Sequence, residues 1–331
     1  MTAARAGGLA AAVAVLGVCV LASLAVGSVD IPIGEVIGAF TAFEDTDEHV
    51  IVRELRVPRT EVGLLVGAAL GTAGALMQGV TRNPLAEPGL LGINPGAALA
   101  VVVAIYMLGI SSTFGYAWFA LAGAALSAVL VLALGASGRG GATPVKLALA
   151  GAVLAALLTS LTSAVLVFDT RTLDEFRFWI VGSIAGRDAG VALSVAPFIG
   201  AGLVIALLAG RWLNALALGD DVARSLGQRV GRARLAATAG FVLLAGGAVA
   251  AAGPIAFVGL TVPHVARAIV GPDYRWIVPY SAVLGAALLL AADVVGRIAA
   301  RPSEMAVGIV TAVVGAPAFI WLVRRPRLAE L

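Results

Sequence analysis

Ionisable side chains are sparse in this chain, and one internal stretch between two apolar runs, Leu218–Leu235, LGDDVARSLGQRVGRARL, carries two acids and four arginines. Asp220 and Asp221 suit the positive end of a helix, Leu218, Val222 and Leu226 fall four apart on one face, and Gly227 can stop it. The stretch reads as a short amphipathic helix followed by a second basic segment. It carries no bond-making chemistry. What it offers is a surface, which must lie against the bilayer, the chain itself or a soluble partner.

The other reactive residue types exclude several chemistries. Cys19, the only cysteine, lies in an apolar run and has no partner in the chain for a disulfide. His49 stands in an acidic loop and His264 in a short apolar segment, which leaves no protein-built His/Cys metal site. Lys146, the only lysine, follows no GxxxxGK[ST] loop, so any nucleotide this protein uses must be bound by a partner. No nucleophile–base constellation is present either. Asp293 and Arg297, four residues apart, read as an ion pair on one helix near the membrane edge.

The elements that position these residues are membrane spans. The chain has 331 residues, 60% hydrophobic and 12% charged, with a mean hydropathy of +1.02, far too apolar for a soluble domain of this size. Apolar windows of about 20 residues fall near Gly8–Val29, Val62–Val80, Phe114–Ala136, Val145–Phe168, Val191–Leu208, Leu235–Ala252, Val278–Val295 and Ala306–Val323. Two shorter ones, Pro95–Leu108 and Pro254–Val270, bring the expectation to about ten spans in a single all-α transmembrane domain, residues 1–331. The first apolar run exceeds the core of a signal peptide and many spans follow, so it is read as a retained span. With the N-terminus inside, 14 of the 22 basic residues fall in the inner loops, which places both termini and Leu218–Leu235 on the cytoplasmic side.

The first outer loop, Asp30–Glu61, holds an acidic run at Glu44–Glu48, read as a solvated face, followed by Arg53, Arg56 and Arg59. Arg56-Val57-Pro58-Arg59 is either an interfacial anchor for the next span or a cationic patch for an acidic partner. That span carries Gly63, Gly67 and Gly71, with Ala75 and Gly79 extending the face, a spacing that lets helix backbones approach closely. It ends at Gln78, and Arg82–Gly89 then breaks the helix with Pro84 and Pro88. Broken backbone at membrane depth must be covered by protein or line a wet cavity.

These motifs resemble one family. QGVTRNPLAEPGLLGINPGAAL (Gln78–Leu99), the preceding RVPRT, Phe178–Ser183, LGDDVARSLG, GPIAFVGLTVPHVARAIVGPDYR (Gly253–Arg275), LLLAADVVGR (Leu288–Arg297) and EMAVGIVTAVVGAPAFIWL (Glu304–Leu322) are similar, in order, to the FecCD-type permeases of bacterial ABC importers for iron-siderophores, haem and vitamin B12. The resemblance implies ten spans, a homo- or heterodimer of permeases in the cytoplasmic membrane, two ATPase subunits that bind the ATP and Mg2+, and an extracytoplasmic substrate-binding protein. No cofactor on this chain and no nucleic acid are implied. It places Leu218–Leu235 between the sixth and seventh spans as coupling helices, with Asp220, Asp221, Val222, Ala223, Arg224, Leu226 and Gly227 against the ATPase. It also implies that Arg56, Arg59 and Arg297 face outward to dock glutamates of the binding protein.

Gln78, Asn83, Pro84, Pro263 and His264 belong to the family motifs and stand as pathway candidates, with His264 expected to bond backbone near Pro263. Thr143, in the turn Gly140–Lys146, occupies the place of the inner gate, although Thr143-Pro144 departs from the small hydroxyl-rich pattern there. The mechanism implied is alternating access by a non-enzymatic subunit, with iron-siderophore as the leading cargo and haem or cobalamin as alternatives. An ion-coupled secondary transporter would also use broken helices and small-residue packing, but the spans hold almost no ionisable residue except Asp293.

Overall fold

Glycines and alanines decide where the centre of the molecule lies. The computed structural model describes residues 2–137 and 144–323. The helices are α1 (Thr2–Ala25), α2 (Ile33–Thr41), α3 (Asp47–Val50), α4 (Val57–Thr81), α5 (Ile93–Leu108), α6 (Thr113–Ala136), α7 (Pro144–Phe168), α8 (Thr170–Ile180), α9 (Ala189–Ala217), α10 (Asp220–Ser225), α11 (Val230–Ala252), α12 (Val258–Val270), α13 (Tyr274–Ala299) and α14 (Val307–Val323). A π-helical turn (Ile51–Arg56) joins α3 to α4, and a 3-10 turn (Pro88–Leu91) precedes α5. No strand occurs among the described residues. The chain is an all-helical membrane protein: α1, the α3–α4 run, α6, α7, α9, α11 and α13 are each long and apolar enough to span, and α5, α12 and α14 are shorter apolar helices.

Helix α4 is the axis. Its most apolar window is 83% buried, against 11% for α1 and 17% for α7, so α4 meets protein while α1 and α7 face outward. The small-residue face makes this possible. A Cβ at Gly67 would stand 2.5 Å from the Gly285 carbonyl oxygen of α13, one at Gly71 would strike the Ser281 carbonyl, and one at Gly74 would strike Gly259 of α12. A Cβ at Gly79 would stand 3.0 Å from both Leu213 of α9 and Tyr274 of α13. Backbones this close gain dispersion contacts that larger side chains would forbid. Gly67→Val is therefore expected to cost about 1–3 kcal/mol, the usual range for overpacking. Thermal unfolding of the purified protein in detergent checks it; an unchanged midpoint would mean that α4 and α13 can part freely.

The outer segment differs from the expected loop. Residues 30–61 hold α2, α3 and the π turn, and α3 runs into α4 without a break. Thr46 caps α3 by accepting from the His49 backbone N–H. Pro58 has no N–H to give the Glu54 carbonyl, and the turn before it widens so that Val57 N–H reaches back five residues to Val52. A further helix unforeseen in the sequence is α8, capped by Asp169, whose carboxyl is held below the usual range by the Thr172 hydroxyl and then by Thr172 N–H, from which it accepts at 3.1 Å. Its Phe176 and Trp179 stack at 5.8 Å, and Tyr116 of α6 donates to its Glu175 at 2.9 Å. Both α9 and α11 extend past their apolar windows, and the second basic segment of Leu218–Leu235 is the start of α11.

On the face where α1 begins, Asp273 ties three helices. Its carboxylate caps α13 through Arg275 N–H, accepts from Asn214 of α9 at 2.6 Å, and lies 3.7 Å from Arg5 of α1. Hydrogen bonds from Arg275 first, and then from Asn214, hold it far below the usual carboxylate range. A folded-state value below the unfolded 3.8 means that this stabilisation is complete above that pH and is lost as pH falls below it. Asp273→Ala is expected to cost about 1 kcal/mol at neutral pH, the worth of a helix cap. The difference between variant and wild type in thermal melts should shrink as the pH is taken below 3.8; a difference that grows would sink this account.

Candidate functional site

The segment between α9 and α11 is built as a corner with one face left open. Gly219, at φ +103°, turns the chain out of α9 in a conformation that favours glycine. After α10, Gly227 at φ +79° closes the helix: Gly227 N–H bonds the Arg224 carbonyl and Gln228 N–H bonds the Ala223 carbonyl, both at 2.9 Å, a Schellman closure. Leu218, Val222 and Leu226 are 62%, 45% and 65% exposed and form an open apolar row, although the face expected from the spacing holds only for Val222 and Leu226, because Leu218 ends α9 and Gly219 turns the chain before α10 begins. Arg224 pairs with Asp221 at 2.7 Å on the surface.

Two of the residues assigned to a partner face lie on the other side. Ala223 is fully buried, because a methyl is what fits where α10 rests on the bundle. Asp220 turns inward, and its Oδ1 accepts from Arg82 after α4 and from Arg234 of α11, both at 2.9 Å. Beside this pair, between α4, α6, α7 and α11, opens a cavity of about 920 Å³ lined by Arg82, Asp220, Arg229, Arg232, Leu132 and Leu147 among others.

The motif residues at the end of α4 serve its corner and its packing. Gln78 is buried; its amide donates to the Leu260 carbonyl of α12 and accepts from Arg267, each at 3.3 Å, so it ties α4 to α12 and does not line an open path. His264 Nδ1–H donates to the same Leu260 carbonyl at 2.7 Å, the backbone bonding expected beside Pro263. The carbonyl is one residue beyond Gly259, whose own helical partner is the N–H that Pro263 lacks. Arg82 takes a left-handed conformation, φ +51°, and Asn83 receives Leu85 N–H on its side chain at 2.9 Å, an Asx turn that sets Pro84 at the bend. Asn83 also lines a smaller cleft beside α7. Thr143 and the turn Gly140–Lys146 as far as Thr143 lie outside the described residues.

On the opposite face the three arginines expected to point outward are turned inward. Arg56, Arg59 and Arg297 are 6%, 9% and 1% exposed. Arg56 donates to the carbonyls of Leu24 and Val29, and Arg297 to those of Ser23 and Val26, so both cap the end of α1, where helix carbonyls have no partner of their own. Arg301 adds a bond to the Gly27 carbonyl and pairs with Asp30, whose carboxyl it holds down. Arg59 forks onto Asp293 at 2.8 and 3.0 Å and reaches Glu304 at 2.6 Å. Asp293 also pairs with Arg297 at 2.9 Å, as the spacing of four led one to expect. These cations meet helix ends and buried carboxylates first, and that geometry corrects their outward placement.

Sequence reading passed over Arg187. It lies in the segment after α8, on a cleft of about 400 Å³ shared with Glu54, Asp188 and Glu304. Its Nε donates to the Ser183 carbonyl at 3.2 Å, and burial lowers its pKa, with Asp188 opposing. The signal available was its place beside the Phe178–Ser183 motif.

Among the described residues no group of three or more His, Cys, Asp or Glu is arranged to hold a metal. The arrangement has one open apolar row at one end and buried ion pairs at the other. The sequence pattern of the FecCD transport family matches residues 15–325. The chain belongs to the FecCD transport family. It is similar to the ferric enterobactin transport system permease protein FepD of Escherichia coli, 44% identical over 92% of this chain and 90% of that one. It is similar to the iron(3+)-hydroxamate import system permease protein FhuB of Bacillus subtilis, 42% identical over 95% of this chain and 83% of that one. Among solved structures, a metal-chelate type ABC transporter in an inward-facing conformation superposes with a TM-score of 0.83 at 28% identity, covering 95% of this chain and 98% of that one. This FecCD permease is thus a multi-pass, non-catalytic membrane subunit of a bacterial ABC importer.

Proposed function

We propose that this permease passes ferric-siderophore chelates across the cytoplasmic membrane by ATP-driven alternating access. Its likeness along nearly the whole chain to permeases of ferric enterobactin and ferric hydroxamate import carries the cargo assignment. Two permeases stand over two ATPase subunits, which bind the ATP and Mg2+ that this chain has no loop to hold. The ten spans are the seven long helices with α5, α12 and α14, and the excess of basic residues in alternate loops puts both termini and α10 in the cytoplasm. The open row Leu218, Val222 and Leu226 seats on the ATPase. A substrate-binding protein delivers the chelate to the outer face, where the cleft beside Arg187 opens. Iron stays with its chelator, so no protein ligand to it is needed.

Reconstitution of this chain with its ATPase and candidate binding proteins in proteoliposomes tests the reading. Uptake of a ferric siderophore that requires both ATP and the binding protein is expected. Uptake driven by an ion gradient without ATP would sink it, and uptake of haem or cobalamin in place of the siderophore would overturn the cargo while leaving the importer.

A further inference from the structure

Helix α10 has six residues, too few to hold itself by its own hydrogen bonds. Its packing is on α9 and α11, with Ala223 as the buried contact. What joins it to the end of α4 is the carboxylate of Asp220. One oxygen, Oδ1, receives Arg82 from the corner after α4 and Arg234 from the second turn of α11, and Oδ2 lies 4.0 Å from Arg224 of α10 itself. The three anchored parts differ in what they control. Arg82 sits at the bend held by the Asn83 Asx turn, so its position follows the end of α4. Helix α4 in turn packs backbone to backbone on α13 and α12 through Gly67, Gly71 and Gly74.

We propose that Asp220 is a positioning residue, a strut that makes the inner ends of α4 and α11 follow displacement of α10, through the contact geometry Arg82–Asp220–Arg234. The proposal rests on the reading of α10 as the ATPase-coupling element and assigns Asp220 to the permease's own interior, away from the ATPase surface. Two features favour transmission over bare stability. The pair is partly exposed, with side-chain accessibilities of 37% for Arg82 and 24% for Asp220, a setting in which an ion pair contributes little to folding. It also bridges residues 138 apart, tying α10 to the corner after α4 by side chains, beside the packing that runs through α9 and α11. Arg232 and Arg234 lie near the positive end of α11, where the helix dipole disfavours them, and the Asp220 carboxylate offsets that charge at the same point.

The experiment uses the full complex with its ATPase and binding protein in proteoliposomes and reads cargo moved per ATP hydrolysed. Asp220→Asn is expected to lower that ratio by about tenfold, within the range for coupling residues that touch neither ligand. Basal hydrolysis, co-purification of the ATPase and the thermal midpoint are expected to stay at wild-type values. Arg82→Gln should give a similar fall, and the double variant Asp220→Asn/Arg82→Gln no further one, since both remove one link. Asp220→Glu should restore most of the ratio. A wild-type ratio in Asp220→Asn overturns the strut, as do additive losses in the double variant, or losses of midpoint and ATPase co-purification that track the loss of transport across all variants. Leu226→Glu separates the two readings: if that variant is also fully coupled, the assignment of α10 fails, whereas if it uncouples and Asp220→Asn does not, only the strut fails.

Discussion

Asp293→Ala is expected to destabilise the permease by about 3–5 kcal/mol, the cost of breaking a buried ion pair from one side. Asp293 is 1% exposed and receives Arg59 from α4 on both oxygens and Arg297 from its own helix. Removing it leaves two guanidiniums facing each other. Arg59 keeps Glu304, which is partly exposed, and Arg297 keeps only the Ser23 and Val26 carbonyls, so two guanidiniums are left with one carboxylate and one positive charge is uncompensated. The effect should resist added salt, because ions do not reach a group this buried. Thermal unfolding in detergent at low and high salt measures it. A loss below about 1 kcal/mol, the worth of an exposed pair, would mean that water enters the cluster and that the arginines can turn outward after all. The same result would revive docking at this site.

Leu226→Glu carries the second large effect. Leu226 is 65% exposed on the open row with Leu218 and Val222, and its removal from water on a partner is worth about 1.5–3 kcal/mol. Replacing it with a charge should weaken association with the ATPase roughly ten- to hundredfold, with the permease itself folding normally. Pull-down of the ATPase at graded concentrations, together with the thermal midpoint of the permease alone, reads both. Ala223→Arg is a different experiment, since Ala223 is fully buried and the substitution would dislodge α10 from the bundle. If Leu226→Glu binds its ATPase as wild type does, the open row is a lipid- or solvent-facing surface and the coupling surface lies elsewhere.

The long apolar helices, their packing face and the short amphipathic helix after α9 were legible because each is a local pattern. Hydropathy over 20 residues finds a helix that must cross a membrane, since no other local structure satisfies its backbone there. Gly63, Gly67 and Gly71 at a spacing of four mark a face whatever lies opposite, and α13 does lie opposite. The 3.6-residue period likewise put Val222 and Leu226 on one open side, while Leu218 falls before the Gly219 turn that no period foretells. Helix α8 escaped because it is polar and short, and the segment before α4 escaped because acids and prolines look like a loop until Thr46 and a π turn fold them.

The arginines mark the limit. Type and position tell that Arg56, Arg59 and Arg297 carry charge near the outer edge, and the spacing of four tells that Arg297 can reach Asp293. Whether a guanidinium points to water or inward depends on which carbonyls and carboxylates other helices bring within 3 Å. Arg59 and Asp293 are 234 residues apart, and Asp220 and Arg82 are 138 apart. The sequence alone thus determined the class, the spans and the amphipathic row, all set by interactions within a few residues. Only the tertiary structure decided the direction of each charge, because that is set by the desolvation and pairing of groups far apart in the chain.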